Sequence, residues 1–301
     1  MEYESGSVHP TEAVSEGWAL IKSDYWLFFG MTLVMTLIII VVSATLGGVV
    51  GAISQIVSRG IGAVSAGAPA NAAAVLIPQL VAQVFSIISN LVTILLSALL
   101  TCGIYVALSR KASGGAPEFG DLFAGFKFFL PCLIVALVFT LFQFVIGVTT
   151  VLIGFVFGIS RLGADVLAPG GKFDPKVFQT LIPAFLVIAL FYLIFSFVFG
   201  ALMFFIYQLI AVRNASAVEA ITQSVRAGLR NFFPLIGLFI IEGLIAFAGA
   251  LLCGVGIFFV IPILIATNFA AYLRVFGKPN NFAQHLPPPP PVFGAQPNSG
   301  F

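Results

Sequence analysis

The sequence predicts an all-α membrane protein with six transmembrane helices as three hairpins, each preceded by an amphipathic interfacial helix. Three observations carry this. Apolar residues make up 60% of the 301-residue chain and charged residues 8%, against about 25% charged in water-soluble domains. Six apolar stretches are long enough to cross a hydrocarbon core, which takes about 20 helical residues. Basic residues gather on one side of those stretches, as they do at membrane proteins' cytoplasmic surfaces.

The spans fall at 26–48, 79–109, 129–158, 181–212, 232–253 and 257–276. Residues 26–278 then form one membrane domain, between an N-terminal segment (1–25) with its interfacial helix and a Pro-rich tail (279–301). The longer spans are expected to tilt or protrude. A Gly/Ala/Ser-rich loop, Arg59 to Ala74, joins the first two, and a more polar loop, Arg161 to Lys176, joins the third and fourth. Cys253-Gly254-Val255-Gly256 forces a tight antiparallel turn between the last two. Nine of the thirteen Lys and Arg residues lie on the side that carries both termini, so both termini are expected to be cytoplasmic. The first two dozen residues are rich in acids and lack a cleavable signal core, so the first span is expected to be its own targeting signal. The proline run Pro287 to Pro291 is expected to be disordered with polyproline II character.

A repeat of about 103 residues underlies the hairpins. The units open with Val14–Trp26, Phe119–Phe129 and Val218–Phe233, and return through Tyr105…Arg110, Tyr207…Arg213 and Tyr272-Leu273-Arg274. Lys127-Phe-Phe-Leu-Pro131 matches Arg230-Asn-Phe-Phe-Pro234. Prolines at these junctions suit a first helical turn.

The third opening carries the sharpest local signal. Ser216-Ala-Val-Glu219 is a capping box. Val218, Ile221, Val225 and Leu229 then share one face, with Glu219, Gln223, Arg226 and Arg230 opposite. Such a helix lies in the membrane interface with its arginines toward lipid headgroups. Val14, Trp18, Ile21 and Tyr25 make a similar face in the first opening. Lys22, Lys127, Arg226 and Arg230 are the candidate headgroup contacts. The bland alternative is an anchor that sets the entry angle of the next span.

Two spans carry polar stripes. Gln79, Gln83, Ser86, Asn90, Thr93, Ser97 and Thr101 share one face of the second span. Hydrocarbon offers them no hydrogen bonds, so the stripe is expected to face protein, as a dry helix seam, or a water-filled path. Thr140, Gln143, Gly147, Thr150 and Gly154 line one side of the third. Gly47-xxx-Gly51 and Gly154-xxx-Gly158 suit close helix packing.

Glu242 is the one ionisable residue deep within a span. An acid at that depth is by default a proton- or cation-relay hypothesis; the alternative is a protonated acid making a structural hydrogen bond. Its small helical neighbours Ala246 and Gly249 turn it toward the bundle, and Asn268, Asn90, Gln143 or Tyr192 are candidate partners. The candidate intramembrane polar site is Glu242, Gln83, Asn90, Gln143 and Asn268.

The chemistry absent from the sequence narrows the function. Both histidines, His9 and His285, lie in the polar ends, and Cys102, Cys132 and Cys253 form neither a CxxC pair nor a group with histidine. Neither a zinc site nor a disulfide framework is supported. No HExxH and no paired intramembrane carboxylates occur. No catalytic residues, cofactor, metal or nucleic-acid partner are expected.

Ala220…Ser224…Gly228…Asn231, then Gly254-Val-Gly256…Pro262…Ala270-Ala-Tyr272, resemble bacterial multi-pass membrane families of undetermined function. These include the membrane domain fused to some glycerophosphodiester phosphodiesterases. Glu16-Gly-Trp18 through Trp26 looks similar too, and the match covers about a third of the chain. No phosphodiesterase domain is present, so no activity carries over. The resemblance implies a helical domain in the bacterial inner membrane. The expected function is that of a non-enzymatic scaffold binding the lipid bilayer, anionic lipids or other membrane proteins. The alternative is a small-solute transporter or permease using the intramembrane acid.

Overall fold

The computed structural model describes residues 6–64, 72–156, 176–252 and 254–277. Most of the Arg161–Lys176 loop, Cys253 and the Pro-rich tail lie outside them. Among the described residues the chain is helical with no strand. The elements are α1 (Pro10–Ile21), α2 (Tyr25–Val64), α3 (Ala72–Ala112), α4 (Asp121–Ala124) with a 3-10 turn (Gly125–Phe128), and α5 (Phe129–Val156). Then follow α6 (Lys176–Met203), α7 (Ile206–Arg213), α8 (Ala217–Arg230), α9 (Phe232–Leu251) and α10 (Gly256–Phe276). Among the described residues six helical stretches are long and apolar enough to span a membrane, and the chain is a multi-pass helical membrane protein.

Several expected bounds change. The first two spans are helices of 40 and 41 residues, about 60 Å each and twice the thickness of a hydrocarbon core. The expected loop between them is helical as far as Val64 and again from Ala72. The fourth span is not continuous. It breaks at Phe204–Phe205, where Ser224 of α8 donates to the Leu202 carbonyl (2.7 Å) and accepts from the Phe205 amide (3.1 Å). A polar neighbour thus takes over helix bonds that the chain gives up there. The second opening is short, one α-helical turn followed by a 3-10 turn. Glycines at 120 and 125 shorten it, because glycine weakens a helix interior.

The spans form a closed ring in chain order. Each packs on the next, and α10 closes on α2. The openings close the ring a second time. α4 and the 3-10 turn dock on α3, α8 docks on α6 and α7, and α1 docks on α10. Each docking is made by a glycine with no room for a side chain. A Cβ on Gly125 would overlap the Leu99 carbonyl oxygen, one on Gly228 the Ala201 carbonyl oxygen, and one on Gly17 would stand 2.6 Å from the Thr267 nitrogen. A tyrosine follows each docking site, Tyr105 six residues after Leu99, Tyr207 six after Ala201 and Tyr272 five after Thr267. The chain thus forms three units, each leaning on the return of the one before; the third is shorter, its Tyr272 following Tyr207 by 65 residues where Tyr207 follows Tyr105 by 102.

The faces of the opening helices differ from the expected pattern. α8 has the capping box, with Ser216 Oγ accepting from the Glu219 amide and Glu219 from the Ser216 amide. Its buried face is a third sector of small residues, Ala217, Ala220, Ser224, Ala227 and Gly228. Val218 and Leu229 are 70% and 63% exposed, which suits an interfacial helix with its apolar face in lipid. On α1 the packing face is Ala13, Gly17 and Ile21. Ile21 therefore faces protein, not the expected interfacial face, while Trp18 is exposed.

The core lies near the basic side of the ring. Tyr105 stacks on Phe269, Phe269 on Tyr272 and Tyr272 on Phe276. Toward the opposite side the helices expose apolar residues such as Val41, Ile56, Leu186 and Leu251. Gly47 and Gly51 meet no atom within 4 Å of where a Cβ would stand, so the expected close packing there is absent.

Candidate functional site

Two sets of polar groups stand out, one inside the ring and one on its basic rim. The inner set begins at the break between α6 and α7. With its amide oxygen accepting from the Tyr105 hydroxyl (3.1 Å), Gln208 donates to the carbonyls of Phe204 (3.0 Å) and Phe205 (3.3 Å). Glu242 lies on α9. Its Oε1 is enclosed and has no hydrogen-bond partner, as are Thr267 Oγ1 and Asn268 Oδ1 on α10. Because α9 and α10 are an antiparallel hairpin pinned where Gly249 meets Gly256 and Val260, Glu242 and Asn268 lie within about one helical turn of equal depth. The α9–α10 hairpin thus carries three enclosed oxygens without a hydrogen-bond partner.

Glu242 and Asn268 therefore share one hairpin at similar depth, but no hydrogen bond joins them. The other residues expected at this site stand elsewhere. Gln83 and Asn90 are exposed on α3, and Asn90 is fifteen residues from Tyr105, about 22 Å along the helix. The half of the stripe that holds Gln83, Ser86 and Asn90 is exposed and is not the expected dry seam. Thr93, further along, satisfies itself by donating to the Ser89 carbonyl (2.9 Å). Gln143 and Tyr192 line a separate cleft between α5 and α6. Tyr105 and Gln208 were missed by the sequence reading. Their only signal was a tyrosine recurring at the repeat spacing.

The rim separates its basic residues into two classes. Arg110 pairs with Asp121 (3.0 Å) and Glu118 (3.4 Å), Lys111 pairs with Asp24, and Arg274 pairs with Glu12 and Glu16 (2.5 and 2.6 Å). Arg213 donates to the Phe276 carbonyl. The Lys111 ammonium holds the Asp24 carboxyl below its ordinary range, with the Ser23 hydroxyl adding to the effect. These ties fasten α1 and α4 to the returning helices. Lys22, Lys127, Arg226 and Arg230 are all exposed and form no ion pair among the described residues. They stand beside exposed aromatic and apolar side chains: Trp18 and Trp26, Phe123 and Phe126, Leu229 and Phe233. The cysteine pair adds no link: Cys102 and Cys132 are free and buried, with sulfurs 3.7 Å apart. No group of three or more metal-ligating side chains occurs among the described residues.

The chain belongs to the DUF7847 family, a domain of unknown function, whose model matches residues 123–296. No curated protein and no solved structure matches it. The family match runs from within the second opening through the third unit and into the Pro-rich tail.

Proposed function

We propose that this protein is a non-enzymatic membrane scaffold that holds anionic lipid headgroups on its basic rim. The carrying observation is the split between cations that face an acid or a carbonyl and cations that face neither, Lys127 resting only over the Phe128 ring. Where a basic residue fastens the fold, an acid or a carbonyl faces it; Lys22, Lys127, Arg226 and Arg230 have no acid partner among the described residues and lie beside apolar groups that suit the membrane interface. Each such cation near an anionic surface contributes about 1 kcal/mol, so four spread over three units favour a charged bilayer surface over one small ligand. In this reading the membrane is the bacterial plasma membrane, and the basic rim and both termini are cytoplasmic, following the distribution of Lys and Arg.

The test is lipid retention by the purified protein. With all four residues changed to Gln, native mass spectrometry should show several-fold less bound phosphatidylglycerol and unchanged phosphatidylcholine. Equal phosphatidylglycerol on both forms would remove the proposal.

A transport reading rests on the unmet oxygens of Glu242, Thr267 and Asn268. It expects Glu242→Gln to abolish pH-dependent solute uptake into vesicles at normal expression; unchanged uptake counts against it. Gln83, Asn90 and Gln143 do not extend a path from Glu242, so the scaffold reading accounts for more of the structure.

A further inference from the structure

We propose that the cleft between α5 and α6 binds an uncharged amphiphile that enters from the lipid phase. The two helices are pinched together by Phe142 stacked on Phe199, with centroids 3.6 Å apart. Beyond that pinch they diverge around a cavity of about 500 Å³, within the roughly 300–1,000 Å³ typical of small-ligand sites. Gln143, Gly147 and Thr150 line one wall, and Phe185, Ile188 and Tyr192 the other. Gly147 meets no atom within 4 Å of where a Cβ would stand, so the glycine itself makes room.

Position and chemistry together define the occupant. Gln143 is fourteen residues into α5, about 21 Å along its axis. The cleft therefore lies in the leaflet away from the basic rim. Its flanks, Phe144 and Leu186, are exposed, so a molecule dissolved in lipid can reach it. Neither Gln143 nor Tyr192 makes a hydrogen bond among the described residues. An amide and a phenol without partners at this depth are costly. An occupant with hydroxyl or ester oxygens satisfies both, and its chains pack on Phe185 and Ile188. Among the described residues no charged side chain lines the cleft, so a phosphate-bearing headgroup finds no counter-charge there. The occupant is thus a diacylglycerol-like or long-chain alcohol amphiphile. This site is independent of the rim and survives if the rim proposal fails.

The experiment uses the full chain in phosphatidylcholine nanodiscs that contain a few mole per cent of a diazirine-bearing diacylglycerol. A diazirine-bearing phosphatidylglycerol serves as comparison, and crosslinks are mapped by peptide. Diacylglycerol should label the segments 143–150 or 185–192 at least fivefold more than phosphatidylglycerol does. Gln143→Leu with Tyr192→Phe should cut that labelling at least fivefold and leave labelling of α8 unchanged. Should the pair fail to fold, Tyr192→Phe alone should still cut it at least twofold. Gly147→Leu should block labelling by filling the space. Equal labelling by the two probes would mean bulk lipid only and overturn the proposal. Wild-type labelling of the polar variants would do the same, as would loss of labelling in millimolar glycerol, which would assign the cleft to a soluble polyol.

Discussion

Gly125 lies so close to Leu99 that a side chain at 125 would overlap the Leu99 carbonyl oxygen. The same backbone-to-backbone approach recurs at Gly17 on Thr267 and Gly228 on Ala201. Glycine is required there by contact, not by an unusual backbone angle, since all three sit in helical turns with φ below zero.

Alanine at Gly125 or Gly228 should therefore destabilise the protein by about 1–3 kcal/mol, the usual cost of overpacking. Alanine at Gly47, which faces open space, should be neutral or stabilising by about 0.5–1 kcal/mol, because it improves a helix interior. Thermal unfolding in detergent would compare them. Equal midpoints for Gly125→Ala and Gly47→Ala would contradict the docking role.

Gln208→Leu should cost about 1–3 kcal/mol, since it strips partners from the Tyr105 hydroxyl and the Phe204 and Phe205 carbonyls in a buried place. The loss should appear first as faster amide exchange around the α6–α7 break. Wild-type exchange there would show that Ser224 alone supports the break.

Glu242→Leu should raise the unfolding midpoint. An enclosed oxygen without a partner costs about 1–3 kcal/mol, and a leucine of similar size removes it. A lowered midpoint would mean that the carboxyl has a stabilising partner, such as a bound cation, in the membrane.

Acid should loosen the α1–α2 corner. Asp24 is held below its ordinary carboxyl value by Lys111, so the folded state binds its proton less readily than the unfolded state. The contribution is present in full above about pH 4, the ordinary Asp value, and disappears as pH falls through the lowered value. Asp24→Asn should remove this part of the dependence between neutral pH and pH 3. Identical midpoint-against-pH curves for wild type and Asp24→Asn would refute it. Arg274 with Glu12 and Glu16 is partly exposed and should add only a few tenths of a kcal/mol, and less in high salt.

The hydropathy of the chain made six spans and three hairpins legible, because each span is predominantly apolar over the length a membrane crossing needs. The capping box was legible for a similar reason: Ser216 and Glu219 act within one turn. Relations between elements were not. The small-residue face of α8 looks unremarkable until α6 is laid against it, and the apolar face of Val218 and Leu229 draws the eye instead. Glu242 and Asn268 could be placed on one hairpin from the tight turn at 254–256. Tyr105 and Gln208 could not, since their meeting depends on how the first and second units pack. The α3 stripe misled because periodicity places residues on one face without saying which way that face turns.

The docking of α1 on α10 sets a timetable for assembly. Gly17 leaves the ribosome about 250 residues before Thr267, the residue it rests on. At about 5–20 residues per second, the earliest helix waits roughly 10–50 s for its seat. During that interval the faces of Ala13, Gly17 and Ile21 have no native partner, and a shortened chain lacking the last hairpin would leave them permanently bare. Nascent chains stalled before Thr267 should consequently be degraded faster than those released at full length.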